Sequence, residues 1–118
     1  MKKYVLIMVC LLLSIKLEAQ TDSTKLNRSK AIEYNLKGVE FQKIKEYKEA
    51  IKCFNKALEA DSTFGEAYYN RAISIANSNP KDEEYVDFDV CNEFKKAFKF
   101  GIVVSKEELF FYGCTLKY

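Results

Sequence analysis

The sequence predicts an all-α domain of stacked antiparallel helix pairs, five helices in all, behind an apolar leader. From Ala31 onward the apolar residues recur at the i, i+3, i+4 spacing of helices. The 118 residues include only four Gly and one Pro, too few for a succession of tight hairpins. The helical pattern also repeats over a longer period. Tyr34, Gly38 and Phe41 become Tyr68, Ala72 and Ile75 after a shift of 34, and Ala50, Phe54 and Ala57 become Val90, Phe94 and Ala97 after a shift of 40. A shift of 41 then carries Tyr68, Ala72 and Ile75 onto Leu109, Gly113 and Leu116. The lengthening from 34 to 40 falls on Asn77-Ser78-Asn79-Pro80-Lys81-Asp82, where the chain must turn.

The leader comes first. Lys2 and Lys3 precede an apolar run from Tyr4 to Ile15, and Leu17-Glu18-Ala19 follows, the pattern of a secretory signal peptide (residues 1–19) cleaved after Ala19. Its apolar core is short of the roughly 20 residues that a spanning helix needs. The bulk of Leu17 leaves an uncleaved anchor open, and Cys10, inside the apolar core after Met8 and Val9, is poorly placed for lipidation. Lys2, Lys3 and Lys16 against Glu18 account for the whole formal charge of +2, so the chain from Gln20 is neutral. Residues 20–30 are polar apart from Leu26 and read as a flexible tether or a frayed first turn.

The repeat domain is expected over 31–118, with a first repeat at 31–64, a second with an insertion at 65–104, and a C-terminal capping helix at 105–118. The helices are placed at about 31–44, 47–60, 64–78, 84–100 and 105–117. Thr63 with Glu66 and Ser105 with Glu108 are capping-box patterns that open the third and fifth. Pro80 closes the third, and Gly101 stands where a left-handed residue closes the fourth. Gly38, Ala72 and Gly113 share one repeat phase and Ala50, Ala57 and Ala97 another, so each hairpin has a place where two backbones approach closely. Tyr34, Phe41, Phe54, Tyr68 and Ile75 fill the space between hairpins.

This pattern resembles the tetratricopeptide repeat family. Tyr34, Gly38, Phe41, Tyr47, Ala50, Phe54, Ala57 and Asp61 match its signature, with Lys37 where Leu is common and Ser62 where Pro is. In the second repeat Tyr68, Ala72, Phe94 and Ala97 fit, while Val90 replaces an Ala. The stretches Tyr69 to Ala72 and Cys91 to Ala97 are also similar to small exported repeat proteins of Bacteroidetes-type bacteria. The resemblance implies a right-handed superhelical stack of about two and a half units, with a concave groove lined by the first helix of each pair. Projected onto this chain, that face selects Asn35, Val39, Gln42, Tyr69, Ile73, Ala76 and Phe110, with Asn70 beside it. Its amide, aromatic and aliphatic groups suit an extended peptide or a partner helix. Only Asn70 fits a clamp for a C-terminal carboxylate, which disfavours that mode.

Other chemistries find little support. With no His there is no Ser-His or Cys-His pair and no His ligand, so the reading is a non-catalytic module without cofactor, metal or small-molecule substrate. Lys45, Lys48, Lys52 and Lys56 are interleaved with Glu40, Glu46, Glu49 and Glu59, a solvated face rather than a nucleic-acid surface. Asp82, Glu83, Glu84, Asp87 and Asp89 lack the glycine-bearing loop of a calcium site. Of the cysteines beyond the leader, Cys53 reads as a small buried hydrophobe. Cys91 and Cys114 fall on antiparallel neighbours, so a disulfide and two free thiols both stay open, since the groove projection turns Cys114 partly toward the concave side. The expectation is an exported protein, periplasmic or secreted, that binds another protein or peptide and touches a membrane only if its leader is uncleaved. A structural spacer or an accessory subunit of an exported complex is the alternative.

Overall fold

A computed structural model describes residues 1–78 and 89–115, except for the side chains at 17 and 19. The described residues form five helices and no strand: α1 (Lys2–Lys43), α2 (Tyr47–Ala60), α3 (Gly65–Asn77), α4 (Val90–Lys99) and α5 (Lys106–Phe111). Consecutive helices pack as antiparallel pairs, α1 on α2 and α3 on α4, with α2 against α3 joining the pairs into the helical repeat stack.

The repeat phases are visible in the core. Phe54 and Phe94 are both fully buried, as are Ala57 and Ala97. Ala31, Ala57, Leu58, Phe64 and Ala67 bind α1, α2 and α3 into one cluster, flanked by Tyr34 and Tyr68. Ala72, Phe94, Val104, Leu109 and Cys114 form a second under α5. Ala50 is fully buried, whereas Val90 at its phase is half-buried against Ile51 and Ile75. Gly38 is the close approach of the first pair: a Cβ there would lie 2.8 Å from Cδ1 and Cζ of the Phe54 ring. Because Phe54 is enclosed on all sides, Gly38→Leu is expected to cost about 1 to 3 kcal/mol. A thermal melt that leaves the midpoint unmoved would contradict this packing.

Five expectations are corrected. Residues 20–30 are not a tether but part of α1. Their hydroxyls fold back onto the preceding turn, Thr21 donating to the Glu18 carbonyl (2.8 Å) and Thr24 to that of Thr21 (2.9 Å). Arg28 then fixes the segment to the domain, its guanidinium 2.8 Å from the Asp61 carboxylate and 4.3 Å from the centre of the Phe64 ring. Thr63 does not cap α3: its hydroxyl and N–H both go to Asp61 Oδ1 (2.6 and 2.9 Å), and Phe64 stands at the cap position.

The fourth helix does not include Asp89, which lies in extended backbone and caps α4 by accepting from the Cys91 N–H at 2.9 Å. The fifth helix ends at Phe111 rather than near 117, and Gly113 is a stop rather than a packing residue. Its φ is +70°, and nothing lies within 4 Å of where its Cβ would be. Gly101, at φ +92°, closes α4 in the left-handed conformation. The Ser105 and Glu108 pair forms the full reciprocal capping box of α5. Pro80 and residues 82–87 of the acidic cluster lie outside the described residues.

One turn is built against residue preference. Lys45 between α1 and α2 has φ +61°, a conformation costly for a side chain with a Cβ. Lys45→Gly is therefore expected to raise the melting temperature, readable by calorimetry.

Candidate partner-binding face

Side chains link α1 to α3 and α3 to α5. Asn35, Asn70 and Gln42 come together between α1 and α3, but they bind one another rather than standing open. Asn70 Nδ2 donates to Asn35 Oδ1 at 3.1 Å, and Gln42 Nε2 donates to the Asn70 carbonyl (3.2 Å) and to Ser74 Oγ (3.1 Å). Asn35 is buried, and so is Ser74. This seam joins α1 to α3 and satisfies groups that would otherwise be costly to bury.

Tyr69 is likewise engaged. Its ring lies 5.8 Å from that of Phe94, and its hydroxyl donates to Glu108 Oε1 of α5 at 2.5 Å. Burial first, and the Glu108 carboxylate second, push the Tyr69 phenol up to about 12. The hydrogen bond from Tyr69 holds the Glu108 carboxyl below its ordinary value. Both shifts bear on α5. Glu108, lowered in the folded chain, supports docking above its ordinary range near 4.5 and loses that support as pH falls. Tyr69, raised, supports it below its ordinary 10, and the support disappears as pH climbs toward 12. A tyrosinate absorbance titration is expected to show one late-titrating phenol that is missing from Tyr69→Phe.

Ile73 packs half-buried against the α3–α5 cluster, Val39 is half-buried, Ala76 is exposed and Phe110 is 87% exposed. The open part of the face is therefore apolar. Ile32 (43% exposed), Leu36 (59%) and Val39 run at i, i+4 and i+7 along α1, beside Asn35 and Gln42 and turned away from α2. Sequence reasoning passed over Ile32 and Leu36 because the repeat phase pointed to their neighbours; their helical spacing was the available signal.

Cys91 and Cys114 are joined by a disulfide with Cα atoms 5.4 Å apart. Projecting an unbroken fifth helix turned Cys114 toward the concave side. The stop at Gly113 turns the chain inward instead, the Cys114 N–H donates to the Leu109 carbonyl at 2.7 Å, and Cys114 is buried. Cys53 is half-buried rather than buried and lines a cleft of about 450 Å³ between α1 and α2, with Tyr34, Lys37, Phe41 and Lys56. Burial pushes its thiol up, away from nucleophilic character. On the same side, Lys52 pairs with Glu49 (2.8 Å) and Lys56 lies over the Tyr34 ring, a solvated arrangement. No metal-holding cluster of His, Cys, Asp or Glu occurs among the described residues.

Sequence reasoning also gave no role to Arg71 and Glu93. Arg71 Nε donates to Glu93 Oε2 at 2.7 Å and its NH1 to Asn55 Oδ1 at 2.9 Å, while Lys96 reaches Glu93 Oε1 at 3.2 Å. This buried network ties α2, α3 and α4 together behind the face.

No curated protein and no solved structure matches the chain. The sequence model of the family described as Tetratricopeptide repeat matches residues 31–64, the stretch that holds the end of α1, all of α2 and the turn into α3.

Proposed function

We propose that this chain is a non-catalytic protein-binding module that takes a partner helix or an extended peptide across the face formed by α1 and α3. Tetratricopeptide repeats generally mediate protein–protein interaction, and solenoids use such faces for it. The observation that carries the reading is the stripe of exposed Ile32 and Leu36 and half-buried Val39 next to a polar seam already satisfied within the chain. An apolar line at this spacing suits the apolar side of an amphipathic helix. A photo-crosslinker at Leu36 is expected to capture a partner protein, and one at Lys37, on the cleft between α1 and α2, to capture none. Adducts from position 37 alone would overturn the assignment.

Residues 1–19 act in this reading as an export leader cleaved after Ala19, placing the domain in the periplasm or outside the cell. The Cys91–Cys114 disulfide supports an oxidising compartment. A second reading, an anchored spacer or accessory subunit, draws on α1 itself, whose apolar part is long enough to cross a membrane, with a mean hydropathy of 1.6 and no burial. The same properties belong to signal sequences. N-terminal sequencing of the exported protein separates the two: Gln20 first favours cleavage, Met1 first the anchor.

A further inference from the structure

We propose that the Cys91–Cys114 disulfide is a redox latch, and that its reduction by a dithiol lets residues 103–115 lift away as a lid and bare Tyr69 and Ile73 to a partner. The lid is organised within itself. Backbone N–H groups of Leu109, Tyr112, Gly113 and Cys114 donate to carbonyls of the same segment, those of Ser105, Glu108, Phe110 and Leu109. Contact with the rest of the chain runs through the Tyr69–Glu108 hydrogen bond, the Tyr112 ring 5.4 Å from that of Phe94, the buried Val104 and Leu109, and the disulfide. Only the last is covalent. On the outer side Phe110 and Phe111 are 87% and 79% exposed, so no described element backs α5 against its seat. The pivot is Val103, which is 85% exposed. Ile102 before it stays with α3, packed so closely on Gly65 that a Cβ there would lie 2.8 Å from its Cγ1.

The lid covers part of the candidate face. Tyr69 and Ile73, both half-buried, pack against the cluster that Leu109 and Cys114 complete. Ile73 stands one turn from Asn70, whose carbonyl receives Gln42 of α1, so an open lid exposes apolar surface on the α3 side of the polar seam. Opening is a thiol–disulfide exchange. One thiolate of the dithiol attacks a sulfur of the pair, the Cys91–Cys114 bond breaks, and the other sulfur leaves as a thiolate that takes up a proton. The second thiol of the reductant then displaces the remaining cysteine and closes its own disulfide, so two electrons pass to the pair and two thiols are left. Cys91 is half-buried and the more exposed of the two. Once released, the six residues of α5 are too few to persist as a helix unaided. The remainder of the stack does not depend on the latch, because the clusters around Ala57 and Ile51 contain neither cysteine. What the opened face binds rests on the function proposed above; the opening itself does not.

The test compares the oxidised full chain with the same chain in dithiothreitol, once mass spectrometry shows Cys91 and Cys114 as free thiols. Amide exchange in residues 105–115 is expected to speed up about a hundredfold, the loop-closure advantage read as a ratio, while α1 and α2 keep their protection. After reduction the Ile73 methyl signals should broaden with a neutral gadolinium chelate, and those of the fully buried Ile51 should not. Cys91→Ser with Cys114→Ser should be open without dithiol, and Cys53→Ser should keep the whole response. Residues 105–115 as protected in the reduced chain as in the oxidised one, or protection lost together in α1 and α2, overturns the proposal. A fluorescent amphipathic peptide with Leu at i, i+3, i+4 and i+7 is expected to bind the reduced chain about tenfold more tightly than the oxidised one. Equal binding to both overturns the proposal, because the latch would then not govern the face. Binding to neither, with the lid seen to open, counts against the protein-binding reading instead and leaves the latch supported.

Discussion

Arg71→Ala is expected to lower the unfolding free energy by about 3 to 5 kcal/mol, the range for removing one partner of a buried ion pair. The reason is what it leaves behind. Glu93 is 2% exposed, and its Oε2 receives both the Nε and the terminal nitrogen of Arg71. Lys96 reaches only the other oxygen, from a half-exposed position, and should hold the loss toward the lower end. Asn55 on α2 loses its partner too, so the damage spreads across the junction of the two helix pairs. Chemical denaturation measures the loss directly. The paired replacement Arg71→Met with Glu93→Leu is expected to recover most of it, because apolar side chains need no counter-charge. A single Arg71→Ala variant as stable as the parent would show that the network contributes nothing net.

Breaking the disulfide is the other large perturbation. Cys91 and Cys114 close a loop with a sequence separation of 23, for which the chain-entropy relation gives about 3 kcal/mol. The loss should be local before it is global. α5 has six residues, too few to persist as an isolated helix, and it is held by Leu109, the disulfide and the Tyr69–Glu108 hydrogen bond. In Cys91→Ser with Cys114→Ser, amide exchange is expected to accelerate first in residues 105–115, while α1 and α2 keep their protection. Uniform acceleration along the chain would contradict this, because it would make α5 part of the same cooperative unit as the first pair.

What the sequence made legible was periodic. α2 could be placed at 47–60 because its apolar residues and its neighbours share one period, and Phe54, Ala57, Phe94 and Ala97 follow from phase alone. Features set by single backbone torsions or by long-range partners were not readable in this way. Gly113 has the phase of a packing residue but the torsion of a helix stop, and the difference depends on φ. Thr63 has a capping-box pattern, yet Asp61 captures it first. The register located Asn35, Gln42, Asn70 and Tyr69 on the correct helices without revealing that they hold one another and α5. Arg71 and Glu93 are 22 residues apart with no local spacing to link them.

The continuity of α1 gives the leader junction a second meaning. No part of the apolar window is buried, so removing the described side chains that precede Gln20 takes nothing from the core. Cleavage would cut a helix rather than a loop, leaving four backbone N–H groups newly without acceptors. Behind Gln20 at that cut come Thr21, Asp22, Ser23 and Thr24, the types whose side chains accept from such groups, with the negative charge of Asp22 favouring a helix start. A segment whose composition suggests a tether is thus equipped to become the new N-terminus of α1, with Arg28 two turns further on still fastened to Asp61 and Phe64.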